Sequence, residues 1–271
     1  MNMLLAPIPA KAWQPLAPFG AEVHGLGVAN ANAADIGWLQ QLLADHGVLV
    51  LRGAFAASDE ETGRDALFTR FLQQFGPLTF TQGETPVPGH PMLNCVSNQG
   101  RSTPPKSVFH TDTSYVRQPP AYTALRAVAL PQSGGASVFS SQYIAYDTLP
   151  MHVKERLADG EVLHQVSGLP AEGLAETETW HRLFKKHPFS GRTALFLSTP
   201  QRCQALTGFA VPEAQRILRL LYRHSIRHHR LYHHRWQPDD LLLWDNRCTM
   251  HRGDHAKVVG DRVFHRGMVL A

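Results

Sequence analysis

His110-Thr111-Asp112 and the distant His251 offer two imidazoles and one carboxylate, the smallest donor set that makes an open face for a redox-active metal. Side chains alternate along an extended strand, so His110 and Asp112 at i and i+2 fall on one side. A histidine from another strand then completes a triad. Three protein donors leave three positions of an octahedral ion free, the arrangement associated with non-haem Fe(II) that takes up a co-substrate and dioxygen. Such a face belongs to an enzyme rather than to a structural metal site. The chain has 16 histidines and produces His-x-Asp pairs by chance as well, so the weight of this pair rests on what accompanies His251.

An apolar run and a polar turn, Leu241-Leu-Leu-Trp-Asp-Asn-Arg-Cys-Thr-Met-His251, lead into the third histidine. Asp261 to Leu270 then alternates like a strand, with Arg262, Phe264, Arg266 and Met268 on one face. At strand rise the two arginines stand about 13 Å apart. A guanidinium grips a carboxylate through two parallel hydrogen bonds, so one arginine suits the far end of a dicarboxylate and the other a second anion. Surface arginines paired with acids are the plain alternative, and the apolar neighbours Phe264 and Met268 weigh against it.

With these segments in place the chain resembles the taurine dioxygenase-like branch of the Fe(II)- and 2-oxoglutarate-dependent oxygenases. The resemblance runs over most of the chain and is densest in Phe109-His-Thr-Asp-Thr-Ser114, Leu130-Pro-Gln-Ser-Gly-Gly135, His187-Pro-Phe-Ser-Gly191, Ala194-Leu-Phe196 and Trp244-Asp-Asn-Arg-Cys-Thr-Met-His251. It implies that His110, Asp112 and His251 hold Fe(II), that Arg262 pairs with the distal carboxylate of 2-oxoglutarate, and that dioxygen is the oxidant. Ser137 stands where the family usually has a threonine hydroxyl assisting that carboxylate, and Arg266 matches the arginine that approaches the substrate's anionic group. Thr81 falls where the taurine enzyme has a sulfonate-contacting histidine. Lys106 replaces an asparagine four residues before the first ligand, and the stretch from about Gly168 to Trp180 is shortened. These departures point away from taurine and toward another small anion. Because Asp112 is a carboxylate, hydroxylation is the implied outcome.

The elements that must position these groups are mostly short strands. Helical patterns cover Ile36 to His46, Asp59 to Phe75 and Pro212 to Ile226. Strand patterns cover Gly47 to Arg52, His90 to Val96, Ala121 to Leu130, Ser137 to Ser141, Glu161 to Val166, Thr193 to Leu197, Arg230 to Trp236, Asp240 to Trp244 and Arg262 to Leu270. The expected fold class is mainly β with flanking helices, a double-stranded β-helix or jelly roll. Phe139, two residues from Ser137 on the same strand face, borders the metal pocket or serves as an ordinary core aromatic. His224, His228, His229, His233 and His234 read as a solvated helix end among arginines rather than as a second metal site.

With 271 residues, 43% of them hydrophobic, the chain suits one domain spanning 1–271. Its 26 basic and 22 acidic residues leave a net charge of +4, enough to favour small anions but without the concentrated stripe that nucleic acid calls for. Cys95, Cys203 and Cys248 form no Cys-x-x-Cys pair, which argues for a reducing compartment and a cytoplasmic location. No run approaches the roughly 18 apolar residues of a membrane span. A homo-oligomer stays open. The expected function is hydroxylation of a small anionic molecule such as an alkyl sulfonate, sulfate ester or carboxylate. The alternatives are a biosynthetic hydroxylase of an amino acid or natural product and, from another class, a zinc hydrolase or non-oxidative metal-binding jelly roll.

Overall fold

The computed structural model describes residues 11–56, 61–101, 107–168 and 171–271. Two sheets face one another across an apolar interior. The larger runs, edge to edge, through Ala12–Pro15, Ala21–His24, Val48–Leu51, Leu241–Asp245, Tyr122–Ala129, Val263–Val269, His90–Ser97 and Pro86–Val87. The smaller sets Ser137–Ser141 between Leu231–His234 and Thr249–Gly253. Pairing in both is antiparallel except between Ala21–His24 and Val48–Leu51. This is the expected jelly roll. Among the described residues no helix is long and apolar enough to cross a membrane.

Both faces of the large sheet are covered, which is why its central strands read as unbroken apolar runs. Val48, Val50, Leu242, Trp244, Leu125 and Phe264 turn inward against Phe139 and Tyr232 of the small sheet. Leu49, Leu51, Leu241 and Leu243 turn outward against Leu39 and Leu43 of the helix Ala33–His46 and Phe68, Phe71 and Leu72 of the helix Glu61–Gln73. Period-two alternation thus sends one set to the site and the other to the helices.

Local chemistry sets the helix ends. Asn32 caps the first helix, accepting from the Ala34 and Asp35 amides while the Asp35 carboxylate accepts from the Asn32 amide. This reciprocal cap starts the helix three residues before the periodic apolar pattern does. The second helix begins at Glu61, and the expected start at Asp59 lies outside the described residues. It packs directly on the strand Val263–Val269, where any side chain at Gly267 would collide with Leu72.

A buried ionic group ties that helix to the sheet. Asp65 Oδ1 accepts from Arg126 Nε at 2.6 Å and from His265 Nδ1 at 2.7 Å. Burial alone would raise the Asp65 pKa, but the hydrogen bonds from His265 and Arg126 outweigh it and bring the value down to about 2. A depressed carboxyl pKa adds stability above the unfolded value of about 3.9, and that stability is lost as pH falls toward the folded value. Asp65→Asn should therefore lower the melting temperature at pH 7, with the deficit shrinking as pH is taken from 5 to 3. Thermal melts that show the same deficit across that range would contradict the assignment.

Candidate metal centre

The three candidate ligands come from two segments that meet at one β-bridge. His110 and His251 exchange backbone hydrogen bonds of 2.9 Å in each direction. His251 lies on Thr249–Gly253, opposite Phe139. Only His110 of the His-x-Asp pair is in strand pairing; the chain then turns, with Thr113 at φ +43°. The expected extended strand is thus a bridge followed by a turn. Thr111 anchors that turn, its hydroxyl donating to Leu197 O at 2.8 Å and its carbonyl accepting from Arg202 Nη1 at 3.0 Å.

Asp112 Oδ1 stands 3.5 Å from His110 Nε2 and 3.7 Å from His251 Nε2, and the three donor atoms lie within 4.8 Å of one another. Donors that bind one ion at about 2.0–2.2 Å in neighbouring positions sit roughly 3 Å apart, so a small inward movement closes the set on a metal. Protonation also fits. His110 Nδ1 lies 3.0 Å from the Val108 carbonyl and donates to it, leaving the Nε2 lone pair turned inward. Burial takes the His251 pKa down to about 3 against the pull of Asp112, so that ring is neutral at pH 7. Burial opposes ionisation of Asp112 too, but His251, His110 and the Arg266 guanidinium outweigh it and hold the carboxyl well below its usual range.

Hydrogen bonds fix the carboxylate from behind. Thr123 Oγ1 donates to Asp112 Oδ2 at 2.8 Å, Asn246 Nδ2 donates to Thr123 Oγ1 at 2.8 Å, and Trp244 Nε1 donates to Asn246 Oδ1 at 3.1 Å. The Trp-Asp-Asn turn therefore orients Asp112 as well as His251. Ring packing holds His251, with Trp244 at 4.4 Å and Phe139 at 6.0 Å. Its Nδ1 has no hydrogen-bond partner among the described residues.

A second region of the interior offers donors that have no acidic partner among the described residues. Arg262 is 3% exposed, donates from Nε to Gly135 O at 3.0 Å and lies over the Phe264 ring at 4.2 Å. No acidic group pairs with it among the described residues, and burial lowers its pKa to about 10, which leaves it charged at pH 7. Ser137 accepts from Trp236 Nε1 at 3.1 Å, so its own proton remains to be donated. Gly135 is required beside them: its φ is +75°, and a Cβ there would stand 3.2 Å from Arg262 Cδ. A buried cation bonded to Gly135, two residues along the chain from the Ser137 hydroxyl, fits the carboxylate of a dicarboxylic co-substrate.

The remaining predicted residues separate. Arg266 reaches the ligand face, 3.5 Å from Asp112 Oδ1, but is also ion-paired with Glu84. Thr81 is buried with its hydroxyl 3.3 Å from that of Thr113. Both line a cavity of about 160 Å³ with Glu84, His110, Asp112 and Arg202. Phe139 is 0% exposed and meets the site through His251, as its cross-strand partner and by stacking on its ring. Lys106 lies outside the described residues. Glu84, Arg202, Thr123 and Asn94 escaped the sequence reading. Asn94 pairs across strands with Arg266, and neither atom of its buried amide is hydrogen-bonded within the described residues. Another trio, His187, Asp245 and Cys248, is grouped closely enough for a metal. There the cation is Arg247, which donates to both Asp245 oxygens while His187 Nε2 lies 3.0 Å from one of them, so the carboxylate is already satisfied.

Fold and donor set define an oxygenase of the jelly-roll type, and comparison with known proteins makes this specific. Residues 12–268 match the model of the taurine catabolism dioxygenase TauD, TfdA family. An alpha-ketoglutarate-dependent 2,4-dichlorophenoxyacetate dioxygenase of Cupriavidus pinatubonensis is 27% identical, over 94% of this chain and 96% of that protein. An alpha-ketoglutarate-dependent sulfate ester dioxygenase of Pseudomonas putida is 27% identical over 86% of this chain and 80% of its own length. The crystal structure of a taurine dioxygenase from Burkholderia xenovorans superposes with a TM-score of 0.80 at 23% identity, covering 97% of this chain and 92% of that one. The chain belongs to the TauD, TfdA family and is a 2-oxoglutarate-dependent dioxygenase. The zinc hydrolase alternative has no support in that kinship.

Proposed function

We propose that this enzyme hydroxylates a small organic acid other than taurine, a carboxylate, sulfonate or sulfate ester, and that one domain in a reducing cytoplasm does so with Fe(II), 2-oxoglutarate and dioxygen. One observation carries the reading: a compact cavity opens on His110 and Asp112 and is walled by the guanidinium groups of Arg266 and Arg202. Relatives whose names specify a phenoxyacetate and a sulfate ester support the anionic class.

His110, Asp112 and His251 would hold the iron through two imidazole nitrogens and a carboxylate oxygen. Arg262 and Ser137 would hold 2-oxoglutarate by its far carboxylate, the arginine supplying charge and the serine a proton. Dioxygen would be the oxidant, activated at the iron with two electrons from 2-oxoglutarate for attack on a C–H bond, while the protein supplies binding, orientation and shielding. Burial of His251 and of both strand arginines limits the water that competes at the face, with His110 half-buried at its mouth.

The test is an anaerobic titration of metal-free protein with Fe(II) and 2-oxoglutarate, watching for the weak visible charge-transfer band of a chelated oxoacid. A band that needs both additions, followed by succinate release stimulated by a phenoxyacetate, an alkyl sulfate or an alkyl sulfonate, is the expected result. Absence of the band, with tight zinc binding instead, would overturn the proposal.

A further inference from the structure

We propose that Arg202 grips the substrate's oxyanion. This rests on the oxygenase reading above and deepens it by naming the residue that selects the substrate. Arg202 precedes the strand Cys203–Leu206 and lies outside every motif quoted above. Its side chain is 8% exposed, yet of its donors only Nη1 has a protein acceptor among the described residues, the Thr111 carbonyl, and Nε is buried without one. No acidic group lies within ion-pair reach among the described residues. A cation so enclosed and so little used is held for an anion that arrives from outside the protein.

Its position fits that role. Arg202 lines the cavity of about 160 Å³ over Asp112 and also an adjoining one of about 270 Å³ that shares His110 and Ser167 with the first. An acid whose oxyanion meets Arg202 therefore sits at the junction, with its carbon skeleton free to reach the ligand face. The planar fork of arginine suits carboxylate, sulfonate and sulfate alike. The hydrogen bond to Thr111 also joins this grip to the turn that carries His110 and Asp112.

Arg266 is differently placed. Glu84 is ion-paired with its guanidinium, while Asp112, 3.5 Å from it, acts electrostatically on Arg202 as well. Glu84 takes up the charge of Arg266, whereas Arg202, over the Tyr115 ring at 5.2 Å, has no ion pair among the described residues.

The experiment is calorimetric and needs no turnover. Protein loaded anaerobically with Fe(II) and 2-oxoglutarate is titrated with phenoxyacetate, hexane-1-sulfonate and hexyl sulfate, which separates the three sources of oxyanion. Arg202→Gln should weaken the tightest of these by roughly 10- to 150-fold, the range set by a charge-assisted hydrogen bond. Its 2-oxoglutarate affinity should stay within about threefold, a tolerance well inside the tenfold that 1.4 kcal/mol represents. Arg202→Lys, which keeps the charge but loses the fork, should recover part of the loss. Glu84→Gln should tighten anion binding by releasing Arg266. Unchanged anion binding in both Arg202 variants, or an equal loss of 2-oxoglutarate affinity, overturns the proposal. Wild-type protein that binds 2-oxoglutarate but none of the three anions overturns it too, leaving the cofactor site standing. Failure to bind 2-oxoglutarate at all would instead bring down the oxygenase reading itself.

Discussion

Asp112→Ala is expected to leave a folded protein that no longer retains Fe(II) and releases succinate only at background. Removing an outer-shell partner typically costs 10–100-fold in metal affinity or activity, and loss of a direct ligand should exceed that. Thr123→Val supplies the comparison, since it deletes only the hydroxyl that donates to Asp112 Oδ2 at 2.8 Å and should fall inside the 10–100-fold window. Survival of the fold follows from the ion pairs. Arg266, which faces Asp112 Oδ1 at 3.5 Å, keeps its pairing with Glu84, so no buried cation is stranded. Iron titration, succinate release and a thermal melt on both variants decide the matter. An Asp112→Ala protein with unaltered turnover would overturn the triad, and equal losses in the two variants would remove the distinction between ligand and support.

The grouping of His110, Asp112 and His251 was legible in the sequence because the chemistry it would serve depends on residue types at short spacing. What lay hidden was its geometry. His251 sits on Thr249–Gly253, a strand the sequence presents as the tail of a polar turn: Thr249, Met250 and His251 are all buried, so no alternation marks it. The alternating run at 262–270 did show its inward face, because helix on one side and interior on the other bury Phe264 and Met268 while His265 goes to Asp65. The short helices Gln142–Asp147 and Met151–Arg156 were missed, being too brief for a helical period to declare itself. So was the strand Glu178–Arg182, which pairs with Glu161–Gln165 in the stretch that had looked merely shortened.

Residues in and beside the cavity wall were the least legible. Arg202 gains its meaning from the Thr111 carbonyl, 91 positions earlier, and Glu84 from Arg266, 182 positions later. No local pattern encodes such meetings. Asn94 belongs to the same class: a polar residue in a strand looks like an ordinary solvent-facing position until the register sets it opposite Arg266 in the interior. Kinship therefore conveys the reaction, while selectivity has to be read from the assembled walls.

Arg262→Gln should raise the 2-oxoglutarate requirement roughly 10- to 150-fold, the equivalent of about 1.5–3 kcal/mol for a charge-assisted hydrogen bond. Stability should move the other way or not at all. Arg262 is a buried cation with no acidic partner among the described residues, and burial already lowers its pKa to about 10, so the empty protein gains nothing from the charge. Saturating 2-oxoglutarate should stabilise the parent by about 2.7 kcal/mol at a hundred times its dissociation constant, and the variant by much less at the same concentration. Melting curves with and without the oxoacid, run beside the anaerobic titration, read both effects. If Arg262→Gln instead spares 2-oxoglutarate and weakens only the organic acid, the roles given to Arg262 and to the cavity arginines must be exchanged. If it lowers the stability of the empty protein by several kcal/mol, the guanidinium is a structural strut that happens to face the cavity.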